Sequence, residues 1–377
     1  MVEWKKLGDL LDYEQPTSYL VNSTEYDESY NVPVLTAGQS LVLGYTNETE
    51  GIYQASKENP TIIFDDFTTS FHWIDYKFKV KSSAMKMLRP KKDVNFRYVY
   101  YAMLGINFVP GGHQRHWISK YSNFEIPIPS LSEQSRIVSI LDTFTSSISN
   151  LKQQIEERRK QYEYERDLLL DLEGKEGVEM KKLGEICEIK NGYTPSTKKP
   201  EFWENGSIPW FTLEDIRKNG RILSDAIKHI TPTGVKKSGL FPQNSIIVST
   251  TATIGEYALI TRDFLCNQQI SCISVKEATR GKLLPKYLYY LSNSIGNWCK
   301  KNVNGGGSLL IVSTSKLNNL FIPLPPLSTQ SRIVSILDTF EQSISNLEEQ
   351  LAMREKQYEY YRNQLLTFEG EEERGKT

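Results

Sequence analysis

Cysteine is scarce in this chain. Four thiols (Cys187, Cys266, Cys272, Cys299) occur in 377 residues, all after residue 177, and no two form a CxxC pair. A disulfide scaffold is excluded, and buried thiols in a reducing cytoplasm are expected. Histidine is as rare, with four residues. Only His113 and His116 lie close together, in a glycine-rich loop, where polar loop residues or phosphate contacts are expected rather than metal ligands. No run of 18 or more apolar residues exists, so no membrane span is expected. The N-terminal stretch carries charges inside its apolar residues and does not read as a signal peptide.

Catalytic motifs are missing as well. Dinucleotide spacing GxGxxG is absent. So is the short Asn/Asp-Pro-Pro-aromatic run that methyl transfer to a base requires. Asp65-Asp66 is the one adjacent aspartate pair, with no ExK partner at useful spacing for a nuclease. Gly370–Thr377 matches the letters of a nucleotide-binding P-loop. That motif needs a strand before it and a helix after it, and three glutamates here would repel phosphate. An excess charge of one sign is lacking overall, the net being −1, but this hides an asymmetry. Residues 1–130 carry 13 Lys+Arg against 15 Asp+Glu, and residues 178–326 carry 19 against 11. Only the second of these blocks looks like a polyanion binder by charge alone.

What the chain has is a duplication. Gln134–Phe144, QSRIVSILDTF, recurs letter for letter at Gln330–Phe340. Val2–Gly8 returns as Val178–Gly184, Val32–Thr36 as Ile208–Thr212, Arg97–Tyr101 as Lys286–Tyr290 and Ser119-Lys120 as Ser315-Lys316. The offset grows from 176 through 189 to 196 while the order holds. Each half is therefore a variable globular part followed by a near-constant tail. The tails, residues 123–170 and 319–366, share 32 of 48 positions.

Each tail opens on prolines at alternating positions, which suit neither a helix interior nor a central strand. Ser132 and Ser328 are the expected N-caps. Beyond them Ile137, Leu141, Phe144, Ile148, Leu151, Ile155, Arg158 and Tyr162 alternate four- and three-residue steps. Ile333, Leu337, Phe340, Ile344, Leu347, Leu351, Arg354 and Tyr358 do the same. This is a heptad seam, so two long helices pairing as a coiled coil are expected. Two-fold pseudo-symmetry favours the antiparallel pair, a rod of roughly 58 Å. Arg158 and Arg354, polar on an apolar seam, are candidates for register or partner contact. The variable parts mix short β-rich runs (61–64, 73–80, 245–248, 257–260, 270–275) with helical segments (96–104, 286–293), an α+β pattern. The expected organisation is a domain at 1–122, a lead-in and spacer helix at 123–177, a domain at 178–318, a second spacer at 319–370 and a charged tail at 371–377.

Polar, amide-rich loops recur at matching places in the two variable parts with different letters. The first carries Thr68, Thr69, Lys81, Ser82, Ser83, Gln114, Arg115, His116 and Lys120. The second carries Ser249, Thr250, Thr251, Thr253, Asn267, Gln268, Gln269, Gly306, Ser308 and Lys316, with Tyr193 and Thr194 beside them. Such side chains read base edges, and Ser/Thr, Lys and glycine-rich turns hold phosphates. A reader of two different half-sites needs that combination.

At this point the residues resemble a family. The run Pro323–Asp338, with a slightly degenerate copy from Pro127, is similar to the conserved-region signature of DNA specificity subunits of type I restriction–modification systems. Lys182–Ile186, Asn191–Pro195, Ile208–Trp210, Thr250–Gly255 and Asn267-Gln268 carry further resemblance. The first variable part departs from the pattern, with Val32-Pro33-Val34 in place of Ile-Pro-Trp. The resemblance implies a non-catalytic subunit with two target-recognition domains, each reading half of a split double-stranded DNA sequence. It implies that the paired helices set the gap and bind two modification subunits. Those subunits bring S-adenosylmethionine, and restriction subunits bring ATP and Mg. A partner with methyltransferase and nuclease on one polypeptide is the alternative within the class, and a coiled-coil scaffold without a nucleic-acid role the alternative outside it.

Overall fold

The computed structural model describes residues 2–36, 40–91, 94–111, 114–304 and 310–368. His113, Gly306, Ser308 and the Gly370–Thr377 run lie outside them. The chain divides into two units, residues 1–153 with 348–377, and residues 154–347. No described helix is long and apolar enough to cross a membrane.

The first unit contains β1 (Glu3–Lys6), α1 (Leu7–Leu10), β2 (Leu11–Glu14), β3 (Val32–Leu35), β4 (Val42–Thr46), β5 (Thr61–Asp65), β6 (Phe71–Ile74), β7 (Lys79–Val80), β8 (Met85–Pro90), α2 (Phe96–Met103), β9 (Glu125–Ile128) and the first part of α3 (Leu131–Leu170). Its main sheet runs β2-β8-β5-β6, all antiparallel, with a smaller sheet β4-β3-β7 and a β1-β9 pair. Alternation along β5 decides the layers. Ile62 and Phe64 face a core with α2, Ile137 and Leu141, while Ile63 faces a second core with Leu35, Phe78 and Met85.

The second unit repeats this plan. It holds β10 (Glu179–Lys182), α4 (Leu183–Ile186), β11 (Cys187–Asn191), β12 (Ile208–Phe211), α5 (Leu213–Asn219), β13 (Ile222–Leu223), β14 (His229–Ile230), β15 (Ser245–Ser249), β16 (Tyr257–Ile260), β17 (Leu265–Cys266), β18 (Ile270–Val275), α6 (Pro285–Lys301), α7 (Thr314–Asn318), β19 (Phe321–Leu324) and the first part of α8 (Leu327–Leu366). The sheets are β11-β18-β15-β16-β13, β14-β12-β17 and β10-β19. Ile246 and Val248 face the helix-side core and Ile247 the other. The four cysteines are buried, and burial pushes the thiols of Cys187 and Cys272 up to about 12.

The repeated eleven residues have a task inside each unit. Gln134 is buried; its amide donates to Pro129 O (2.8 Å) and accepts from Asn95 N (3.0 Å). Gln330 donates to Pro325 O and Lys282 O (both 2.8 Å) and accepts from Leu284 N (2.9 Å). Each glutamine thus ties the proline lead-in to the start of α2 or α6. Two helical turns on, Asp142 accepts from Tyr101 Oη and Arg97 Nε, and Asp338 from Tyr290 Oη and Lys286 Nζ. Hydrogen bonds of this kind contribute about 0.5–1.5 kcal/mol each, and one left unmade at the buried glutamines costs about 1–3 kcal/mol. Identity of the stretch follows in part from two equivalent sockets.

In both units the N-terminal half of one long helix lies against the C-terminal half of the other, so α3 and α8 pair antiparallel. In the first unit Phe144 stacks on Tyr361 (5.3 Å between ring centroids) and Lys152 pairs with Glu355 (2.9 Å). In the second, Tyr162 meets Phe340 and donates to Glu341 (3.3 Å). Ile137, Leu141, Ile333 and Leu337 are buried against their own domains. Ile148, Leu151, Ile344 and Leu347 are half-buried, as a two-helix seam requires. Arg354 lies over the Phe144 ring (5.6 Å) and Arg158 over Phe340 (5.9 Å). Both seam arginines are therefore cation–π partners across the pair.

Three local expectations need correction. The long helices start at Leu131 and Leu327, so Ser132 and Ser328 are exposed first-turn residues; in α3 the capping hydroxyl is Ser130, which accepts from Glu133 N (3.3 Å). The run 73–80 is two strands in different sheets, β6 and β7. The helix expected at 286–293 continues to Lys301.

Candidate functional site

In each unit three loops meet at one edge of the main sheet, and the same two backbone bonds staple them. In the first unit Asp66 N donates to Ala84 O (3.0 Å) and His116 N donates to Asp66 O (2.8 Å). In the second, Thr250 N donates to Gln269 O and Val312 N to Thr250 O (both 2.9 Å). The middle loop has the same side-chain turn as well. Ser82 Oγ accepts from Ala84 N (3.1 Å) and Asn267 Oδ1 from Gln269 N (3.0 Å). Ser82 therefore corresponds to Asn267, Ser83 to Gln268, Ala84 to Gln269 and His116 to Val312. Lys81 N bonds Leu35 O as Asn267 N bonds Phe211 O, so Lys81 is one extra residue in the first edge.

At the first edge Thr68, Lys81, Ser83, Gln114, Arg115 and Lys120 are exposed and Ser82 is half-buried. At the second, Thr194, Thr253 and Gln268 are exposed, and Tyr193, Thr251, Asn267 and Gln269 are half-buried. Gly192 makes this arrangement possible. A Cβ there would fall within 3 Å of Cys266 O and Asn267 O. With that approach open, Tyr193 N bonds Cys266 O (2.8 Å) and Thr194 Oγ1 donates to Gln268 Oε1.

Four of the expected contact residues are instead buried parts of the scaffold. Thr69 is buried at φ +58°, its hydroxyl donating to Thr68 O (2.7 Å). His116 is buried, its ring edge-on to Phe108 at 5.4 Å. Ser249 Oγ accepts from Glu256 N (2.9 Å). Thr250 Oγ1 bonds Ser271 Oγ (3.0 Å), which donates to Asn191 (2.8 Å). Lys316 is half-buried and donates to Asn302 O (3.0 Å), an internal tether. Polar letters in a loop do not reveal whether a hydroxyl faces outward or closes a turn.

The sequence reading missed other residues. Asp66 is no surface acid: its carboxylate pairs with buried Lys86 (2.9 Å) and accepts from Trp117 N (2.8 Å). Phe67 at the first loop tip, and Leu310 and Ile311 at the second edge, are exposed apolar side chains. Lys236 lies over the Tyr193 ring (4.2 Å). With Lys198, Lys199 and Lys237 it forms an exposed basic flank beside the second edge. None of these four makes an ion pair among the described residues. Other cations of this unit are neutralised, such as Arg217 by Glu256 (2.7 Å) and Lys218 by Glu214 (2.7 Å). The two edges thus offer donors, acceptors and apolar tips on a rigid rim, with cations unpaired among the described residues on the first (Lys81, Arg115, Lys120) and on the flank of the second. Among the described residues no cluster of His, Cys, Asp and Glu could hold a metal ion.

Known proteins resemble this chain in sequence and in fold. Residues 1–158 and 175–353 match the family model described as the type I restriction modification DNA specificity domain. The chain is 44% identical over 391 residues to the type I restriction enzyme EcoR124I/EcoR124II specificity subunit of Escherichia coli, covering 97% of this chain and 94% of that protein. It is 30% identical to a putative type I restriction enzyme specificity subunit of Haemophilus influenzae, covering 97% and 96%. Among solved structures, the type I restriction–modification S subunit from M. genitalium shares the fold at TM-score 0.61 and 16% identity, covering 97% of both chains. A chain from a structural study of type I R-M complex assembly does so at TM-score 0.59 and 17% identity, covering 97% and 96%.

Proposed function

The chain belongs to the type I restriction–modification DNA specificity family, and on that premise we propose that it is the non-catalytic subunit that reads a bipartite, asymmetric DNA target. Each unit reads one half, and the complex carries partner methyltransferase and restriction subunits to the site. The observation that carries this is the stapled three-loop edge, built twice with the same backbone bonds and different exposed side chains. One framework with two alphabets suits two different half-sites.

The partners supply the chemistry in the cytoplasm: methyltransferase subunits bring S-adenosylmethionine, and restriction subunits bring ATP and Mg. A count of two methyltransferase subunits is supported by the outer face of the repeat. Ser135, Arg136, Ser139 and Thr143 form one exposed helical stripe, and Ser331, Arg332, Ser335 and Thr339 form its copy. Inward contacts explain why Gln134 and Asp142 recur; they do not explain these. Arg136 pairs with Glu133 (2.7 Å), yet position 329 is Thr, so Arg332 recurs without that partner. Two identical outer stripes fit two copies of one partner.

Methylome sequencing of cells holding only this chain and its modification subunit tests the reading. Methylation confined to one split motif is expected. Uniform, motif-free methylation, or none with an active partner, would overturn it.

A further inference from the structure

The staple equates positions across the two edges that sequence alone leaves unaligned. His116 and Val312 both donate to the first loop and both are buried. The two residues before them are therefore Gln114-Arg115 in the first unit and Leu310-Ile311 in the second. All four are exposed. The same place on the same framework holds an amide and a guanidinium in one copy and two aliphatic side chains in the other. By contrast, two middle-loop pairs are polar in both copies, Ser82 with Asn267 and Ser83 with Gln268.

We propose that this third-loop position fixes base preference: Arg115 reads a guanine in the half-site of the first unit, and Ile311 contacts a thymine methyl in the other. The proposal rests on the reading that these edges face DNA. A guanidinium is a rigid fork whose two N–H groups match guanine O6 and N7 in the major groove, and the thymine methyl is the apolar group displayed there. Arg115 makes no ion pair among the described residues, so its fork is unspent. Its backbone is held, because Arg115 O accepts from Ser119 Oγ (2.7 Å) and the next residue carries the staple. It stands where the three loops join, with Lys81 and Lys120 exposed on the same edge as candidates for the phosphates. Ile311 is held in the same way, its carbonyl accepting from Asn304 N (2.9 Å) and its backbone forming an isolated bridge with Thr251.

The test uses the full chain with its modification subunit, and variants Arg115→Ile, Arg115→Lys and Ile311→Arg, all at exposed positions. Arg115→Ile is expected to relax one guanine position in one half of the motif, its discrimination falling roughly five- to 150-fold, with the other half unchanged. Arg115→Lys keeps the charge and loses the fork, so it relaxes the same position. Ile311→Arg changes a position in the opposite half. Weakening that is equal for all sequences, with a shallower salt dependence and an unaltered motif, would make Arg115 a phosphate contact and overturn the proposal. An unchanged motif and affinity in Arg115→Ile would do so as well. A wild-type chain that directs no split motif would instead remove the reading on which the proposal stands.

Discussion

Replacing Asp66 by Ala costs the first unit about 3–5 kcal/mol, as loss of one partner from a buried ion pair does. The residue closes the edge in four directions. Its N–H and carbonyl bond Ala84 and His116, its Oδ1 accepts from Trp117 N, and its Oδ2 pairs with Lys86 at 2.9 Å. Both charged side chains are only 1% exposed. The alanine variant keeps the backbone bonds but leaves an ammonium without a counter-charge and a buried N–H without an acceptor. Against a stability of about 5–15 kcal/mol for a domain, that loss is large. Hydrogen exchange of the peptides spanning residues 61–70 and 114–124 reads it directly, and faster exchange in both is expected. Adding Lys86→Met to the variant removes the stranded charge and restores part of the loss. Unchanged exchange in Asp66→Ala, or a double variant no better than the single one, would contradict this role.

The second unit solves the same problem with glycines. Gly255, at φ +91°, ends the first loop of its edge directly against Gly296 in α6. A Cβ on either residue would come within 3 Å of the carbonyl oxygen of the other. Helix propensity alone says that Gly296→Ala stabilises by about 1 kcal/mol. Overpacking against a backbone oxygen costs about 1–3 kcal/mol, and more for a branched side chain. Packing wins, because the obstacle is backbone on both sides. Gly296→Val is therefore expected to destabilise the 250–256 loop and to abolish discrimination in one half of the target, leaving the other half intact. Methylome sequencing combined with a thermal melt of the purified chain checks it. A variant with a raised Tm and an unchanged motif would show that propensity, not the glycine contact, governs this helix.

The frame was legible in the sequence to a degree that the edges were not. Duplication, two heptad helices, proline lead-ins and an α+β character all follow from letters and periods. Those signals are local, or they repeat. The edges are closed by partners far apart in the chain: Asp66 meets Trp117 51 residues on, and Thr250 meets Ser271 21 residues on. From sequence, Asp65-Asp66 looks like an exposed acidic pair and His116 like a polar loop residue. Folding sends Asp66 and His116 inward because a nearby lysine and an aromatic floor receive them. Asp65 itself caps the hairpin turn, accepting from Phe67 N and Thr68 N (both 2.8 Å). The exposed apolar residues Leu310 and Ile311 gave no signal, because isolated aliphatic letters read as core. The eleven identical residues announced a repeat. The structure divides them into inward sockets, Gln134 and Asp142, and an outward stripe that internal packing does not account for.

The central claim is that the two units read DNA independently, one half-site each. Exchange of residues 1–122 for the variable part of another specificity subunit tests it most directly, with the methylome as readout. One half of the motif should change while the other half and the gap between them stay as they were. A change in both halves would contradict the account.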